Sequence, residues 1–222
     1  MQQWLSNSIL VALIAPQFIF GIALAVILFF ILLIVVVSLI ISWLNKKRIR
    51  TMFTNVENVL KDVVNIDKEN SELKKVEYDN KKAPKLPYDF ILKTRDYFYY
   101  IKVVDNSGGH EICVNNSVKW QIRKSFNDET MHFVPEIEDL MRMELSKEDE
   151  NRIPKKLYLI YPNARSLLRY INECEMEFVH PNTDVYGTNI ITYNDLKENI
   201  DFIPRTHEKK SKEKNTQLSL KI

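Results

Sequence analysis

Glycine is scarce in this sequence: Gly21, Gly108, Gly109 and Gly187 are the only four in 222 residues. That leaves no glycine-rich loop to cradle phosphate and no G-x-G-x-x-G dinucleotide fingerprint, both of which need backbone free of Cβ atoms. Cysteine is scarcer still, with Cys113 and Cys174 alone. Neither a disulfide framework nor a four-ligand zinc site of ordinary spacing can be built from two. His110 stands three residues before Cys113, but two ligands do not close a tetrahedral site. There is no His-Glu-x-x-His, and no serine sits in a nucleophile-elbow setting. Charge is also missing from the start of the chain, where nothing ionises before Lys46.

What fills that start is an apolar run from Ile9 to Leu44, densest from Phe18 to Trp43. It exceeds the roughly 20 residues a spanning helix needs. In lipid such a segment must be helical, because every backbone N–H and C=O has to be satisfied within it. It is too long and too uniformly apolar for a buried core helix. A cleaved signal peptide fits poorly, with no basic n-region and no small-residue cleavage site. Pro16-Gln17 interrupts the run, but Ile9–Ala15 is too short to cross alone. One span at about 18–43 is expected, with an extra amphipathic or re-entrant turn before Pro16. Lys46, Lys47, Arg48 and Arg50 follow at once. The positive-inside rule then predicts a cytoplasmic C-terminal side at the cell membrane. Trp4 and Trp43 suit interfacial anchoring.

Residues 1–45 thus read as a membrane anchor, and about 170 residues remain, enough for one domain with a core. The formal charge of +2 is unevenly spread. The juxtamembrane cluster carries +4 and Arg205–Ile222 another +4, which leaves −6 for Thr51–Pro204. A body of that sign lacks the basic surface of a protein that grips nucleic acid through phosphates. The basic ends suit an anionic leaflet, or plain solvated charge. On the cytoplasmic side both cysteines stay reduced, and the Asn115-Asn116-Ser117 sequon goes unused.

Thr54–Asn65 has Val56, Leu60, Val63 and Val64 on one face, and Thr54 with Glu57 makes a capping-box pattern. A helix restarting at Thr54 is expected. Residues 46–87 otherwise read as a basic juxtamembrane segment and a polar loop holding a short strand near Leu73–Tyr78. Tyr88–Lys93 and Tyr97–Val104 are rich in β-branched and aromatic residues and flank a turn, which predicts a hairpin. Glu111–Val114 and Val118–Ile122 predict a second. Helices are expected at Pro135–Glu144, Ala164–Cys174 and Tyr193–Ile200, and strands at Lys156–Tyr161 and Asn189–Thr192. A mixed-sheet α/β core over 88–204 follows, with helix 54–65 packed on it. A disordered basic tail is expected at 205–222.

Pro87-Tyr88-Asp89-Phe90-Ile91, a turn, then Tyr99-Tyr100-Ile101-Lys102-Val103-Val104 resembles the core of PD-(D/E)XK nucleases. Residues i and i+2 of a strand share a face. In that fold an Asp, a Glu and a nearby Lys thereby hold Mg²⁺ and the attacking water. Asn106-Ser107-Gly108-Gly109, the short hairpin, Trp120, the helix at Pro135 and Asn194-Asp195-Leu196 are similar to nuclease-related (NERD) domains. The likeness covers about Val56–Ile200 and implies a restriction-endonuclease-like fold.

This sequence departs from the pattern where chemistry would sit. Asp89 matches the first carboxylate, but Lys102 occupies the Glu position and Val104 the Lys position. A register shifted by two puts Tyr100 and Lys102 there instead. Glu138 stands for the helix glutamine, and the family's opening Gly-Glu is missing near Val56-Glu57. An ammonium in a metal pocket repels the ion. Lys102 is therefore expected to pair with Asp89, leaving a vestigial site, no metal or other cofactor, and a role in binding or scaffolding with lipids and an unidentified protein partner. Nucleic-acid binding is expected to be weak. Two alternatives stay open. One is a membrane-tethered nuclease whose Mg²⁺ is held by Asp89 and Glu111 beside Lys102, since Glu111 follows a flexible loop while Asp105 has the wrong strand parity. The other is a structural membrane component with an unrelated α/β fold.

Overall fold

The structure, a computed structural model, describes residues 2–76, 86–116, 120–123, 132–133, 135–145, 151–172, 175–181 and 183–207, with backbone only at 2–19 and 132–138. The middle of the polar loop, the hairpin tip at 117–119, the side chains of Trp4 and Glu138, Cys174 and the tail from 208 to 222 lie outside those residues. Two compact units form, Met1–Thr51 and Met52–Ile222.

The first unit is helical. Helix α1 covers Gln2–Ile66, beginning in the first unit and ending in the second. It runs through Pro16 unbroken, which leaves no re-entrant turn before that residue. Nor does a helix restart at Thr54. The capping-box acid Glu57 is bonded instead to Lys61 at 2.6 Å and Lys75 at 3.2 Å, the first an ordinary i,i+4 pair on a continuous helix. All side chains from Phe20 to Leu44 are exposed. Among the described residues, α1 is the one helix long and apolar enough to cross a membrane.

The second unit contains two sheets rather than the single mixed sheet expected. The first is ordered β1-β2-β3-β7-β11-β10. Its strands are β1 Glu72–Lys75, β2 Phe90–Lys93, β3 Tyr97–Asp105, β7 Ile153–Tyr161, β10 Asp184–Val185 and β11 Thr188–Thr192. The centre is parallel, β3 on β7 and β7 on β11, while β2 joins β3 as an antiparallel hairpin. The second sheet is ordered β6-β5-β4-β8-β9. It comprises β4 Glu111–Val114, β5 Trp120–Arg123, β6 His132–Phe133, β8 Leu167–Asn172 and β9 Glu175–Phe178. Among the described residues the unit also has two short α-helices, α2 Pro135–Arg142 and α3 Tyr193–Glu198, and a 3-10 turn at Ile200–Phe202; α3 is capped by the Thr192 hydroxyl accepting from Asp195 N–H.

Strand alternation sorts the core into two layers. Tyr99, Ile101 and Val103 of β3 pack with Val56, Leu60 and Val63 of α1, Phe90, Leu92, Leu159 and Leu196. Phe98, Tyr100 and Val104 point the other way, into a layer shared with Ile112, Val114, Trp120, Leu140, Tyr158 and Ile160. With seven consecutive residues buried, β3 has apolar partners on both faces, as a central parallel strand requires.

The predicted helix at Ala164–Cys174 is a correction. Its residues 167–172 are strand β8, parallel to β4 with Ile112 opposite Leu167. Leu167, Leu168 and Ile171 mimic helical spacing. As a strand, however, the segment puts Leu167 against the inter-sheet layer and buries Leu168 on the opposite face. Tertiary context overrides a short periodic signal.

Candidate functional site

Asp89 directly precedes β2, and its N–H donates to Ile101 C=O at 2.8 Å, continuing the β2–β3 ladder. One step further along β3 stands Lys102. Its parity matches Tyr100 and Val104, so its side chain enters the inter-sheet layer. There Lys102 Nζ lies 3.3 Å from Asp89 Oδ1. The other carboxylate oxygen, Oδ2, accepts from Val103 N–H at 2.9 Å. Both residues are only 5% exposed. The Asp89 side chain is thus held by one ammonium and one backbone amide.

Glu111 goes elsewhere. It opens β4, where Ile112 and Val114 face the shared layer, so alternation turns Glu111 and Cys113 to the opposite face of the second sheet. Ser166 Oγ donates to Glu111 Oε2 at 2.6 Å, and Arg123 Nε lies 3.4 Å from Oε1. Asp89 and Glu111, expected as joint metal ligands in the active-nuclease alternative, belong to different sheets and have different cationic partners. Asp105 ends β3 exposed, in line with its parity. Burial raises the pKa of the Cys113 thiol, the nearby Glu111 charge adds to the rise, and Arg123 opposes it. Among the described residues no three His, Cys, Asp or Glu side chains stand together as a metal site.

The other residues of the resemblance have structural work. Trp120 is buried against Tyr158 at 4.6 Å between ring centres. The loop at Asn106-Ser107-Gly108-Gly109 is fastened by Asn106, a buried residue whose Nδ2 donates to the carbonyls of His110 and Asn163 at 2.9 and 2.8 Å. Its Oδ1 accepts from His110 N–H at 3.1 Å. A Cβ on Gly108 would meet the His110 ring, which would have to turn aside. Sequence reasoning marked this loop but not its anchor, and an Asn opening a glycine pair was the available signal. Near α2, Lys156 Nζ donates to Met141 C=O at 2.6 Å, and partial burial lowers the lysine's pKa. A cavity of about 270 Å³ lies beside α3, with polar Asn163, His180, Thr192 and Asp195 and apolar Leu167 and Ile190 in its lining.

Comparison with known protein families, with curated proteins and with solved structures finds no match to this chain.

Proposed function

We propose that this is a single-pass membrane protein whose cytoplasmic unit is a degenerate, nuclease-like α/β domain that binds or scaffolds rather than cleaves. The observation that carries this reading is the Lys102 ammonium 3.3 Å from the Asp89 carboxylate, both buried. In a PD-(D/E)XK site that carboxylate would face a divalent cation. A fixed positive charge at its side repels such an ion and takes over its neutralising role. Recruiting Glu111 as a second ligand would require breaking its bonds to Ser166 and Arg123 and bringing together carboxylates from different sheets. The basic cluster Lys46–Arg50 after an uncharged N-terminus supports a cytoplasmic C-terminal side. Lipids and a protein partner are the companions this reading implies, with nucleic acid bound weakly and mainly through the basic tail.

The test is supercoiled and linear DNA incubated with the full chain in neutral detergent micelles and Mg²⁺ or Mn²⁺. No cleavage, and no rise in melting temperature on adding the metal, are expected, since a ligand stabilises only a state it binds. Metal-dependent cleavage lost in Asp89→Asn would overturn the reading. A cytoplasm-only reporter fused after Ile222 should be active, and an inactive one would reverse the topology.

A further inference from the structure

Strands β7 and β11 run parallel with Ile160 opposite Thr192, so their carboxyl ends reach the same edge of the first sheet. From that edge the two chain exits part. The chain leaving β7 passes through Asn163 into β8, whose Leu167 packs in the layer between the sheets. The chain leaving β11 turns into α3, whose Leu196 packs in the other layer. Neighbouring parallel strands whose continuations go to opposite faces leave a crevice at their carboxyl ends, and in open α/β sheets ligands bind there. The cavity of about 270 Å³ beside α3 is this crevice, with Asn163 from the first exit and Asp195 from the second in its lining. Every residue that lines it is among those described.

The lining selects the occupant. Asp195 is its one carboxylate, and no lysine or arginine belongs to it. The buried Thr192 fixes that carboxylate, its hydroxyl donating to Asp195 Oδ2 at 2.7 Å. The Asp195 N–H is already taken by Thr192 Oγ at 3.1 Å, so the cavity offers the carboxylate and not the helix amide. Among the described residues no hydrogen bond reaches Asp195 Oδ1, Asn163 Nδ2 or the His180 ring. A carboxylate with no fixed cation beside it repels anions and attracts a positive charge. One imidazole and one carboxylate are too few side chains for a closed metal site, and Leu167, Val179 and Ile190 supply an apolar wall that suits an organic body. We propose that this cavity binds a small organic cation, an ammonium or guanidinium on a short apolar stem. Its N–H groups donate to Asp195 Oδ1, and its stem lies against Leu167 and Ile190. The volume falls below the range of about 300–1,000 Å³ that holds drug-sized ligands, which limits the occupant to a few carbon atoms and its charged head. Two sources carry such a group: a free amine or guanidine, and a lysine or arginine side chain of a protein partner. The inference is independent of the nuclease-like reading, because it uses neither Asp89 nor Lys102.

Calorimetric titration of the full chain in neutral detergent micelles with butylguanidinium and butylammonium tests it. Saturable one-to-one binding of at least one of them is expected, with a Kd of about 1 mM or tighter. Butyrate, and butanol as the control for partition into detergent, should bind at least about tenfold more weakly. Asp195→Asn keeps an acceptor for the Thr192 hydroxyl and should weaken binding of the cation about tenfold or more. His180→Lys, at an exposed position, adds a positive charge to the lining and should weaken it as well, with the melting temperature unchanged as the control for folding. The peptide acetyl-Gly-Arg-Gly-amide separates the sources. Binding at least as tight as that of butylguanidinium assigns the site to a partner's side chain, and weaker binding assigns it to a free cation. No saturable binding of either cation, butyrate binding as tightly as the cations, or unchanged binding in Asp195→Asn overturns the inference.

Discussion

The two buried carboxylates among the described residues of the second unit, Asp89 and Glu111, solve the same problem differently. Each has lost water and gained a cation. Asp89 sits in the layer between the sheets, and its cation Lys102 has a side chain only 7% exposed. Glu111 lies on the outer face of the second sheet. Its cation Arg123 keeps 21% of its side-chain surface in solvent, and a neutral hydroxyl from Ser166 shares the load. The difference teaches that depth of the partner, rather than depth of the acid, decides how much a broken pair costs. A lysine stranded in an apolar layer has nowhere to go. An arginine at the sheet surface turns to water.

The largest expected effect comes from the inner pair. Asp89→Ala and Lys102→Ala should each destabilise the second unit by about 3–5 kcal/mol, the range for stranding a buried charge. The double variant should recover part of that loss. Urea unfolding in micelles, followed through the emission of buried Trp120, measures the cycle, and coupling near zero would break the comparison. The outer pair should respond less. Glu111→Gln keeps an acceptor for Ser166 and leaves Arg123 partly hydrated, so a loss of about 1 kcal/mol is expected. A loss as large as that of Asp89→Ala would show that the outer face is as dry as the inner one. The smallest effect concerns Cys113. A thiol whose pKa is raised on folding binds more protons than the unfolded chain does above the ordinary thiol pKa of about 8.5. Stability should therefore decline as pH rises past that value. Glu111→Gln removes one of the charges that raise the pKa, so the decline should become shallower and alkylation of Cys113 at pH 8 faster. Peptide mass spectrometry separates Cys113 from Cys174. Unchanged alkylation would mean that burial alone governs the thiol.

Much of the first sheet was legible because its strands carry strong local signals. Tyr97–Val104 is dense in aromatic and β-branched residues, and β3 covers it with one residue added. The hairpin of β4 and β5 and the helix at Pro135 stand where turn residues and an N-terminal proline predicted them. The expected meeting of Asp89 and Lys102 came from the motif positions that the nuclease resemblance implies, and the two side chains do meet. What failed was long-range information. Residues 167–172 are a strand because β4 offers Ile112, Cys113 and Val114 as partners, which no local window contains. The same gap concealed the second sheet. It also concealed the turning of Glu111 away from Asp89, which depends on which face of β4 packs into the layer shared with β3 and β7. At Arg205–His207, read as the start of a disordered tail, backbone bonds to Asp96 fix the chain beside the β2–β3 turn.

The parallel pairing of β3 with β7 carries a consequence in time. Tyr97 stands opposite Ile153 and Asp105 opposite Tyr161, so the strand at the centre of the core waits for a partner synthesised much later. Chains grow from the N-terminus at about 5–20 residues per second, and non-local pairings close slowly even once complete. The apolar segment of α1 therefore leaves the ribosome well before β3 can bury its second edge. During that interval the β2–β3 hairpin is the only ladder β3 can form, and its aromatic edge is open to wrong partners. Assembly of the sheet is completed only after the N-terminal helix of the same chain has long been synthesised.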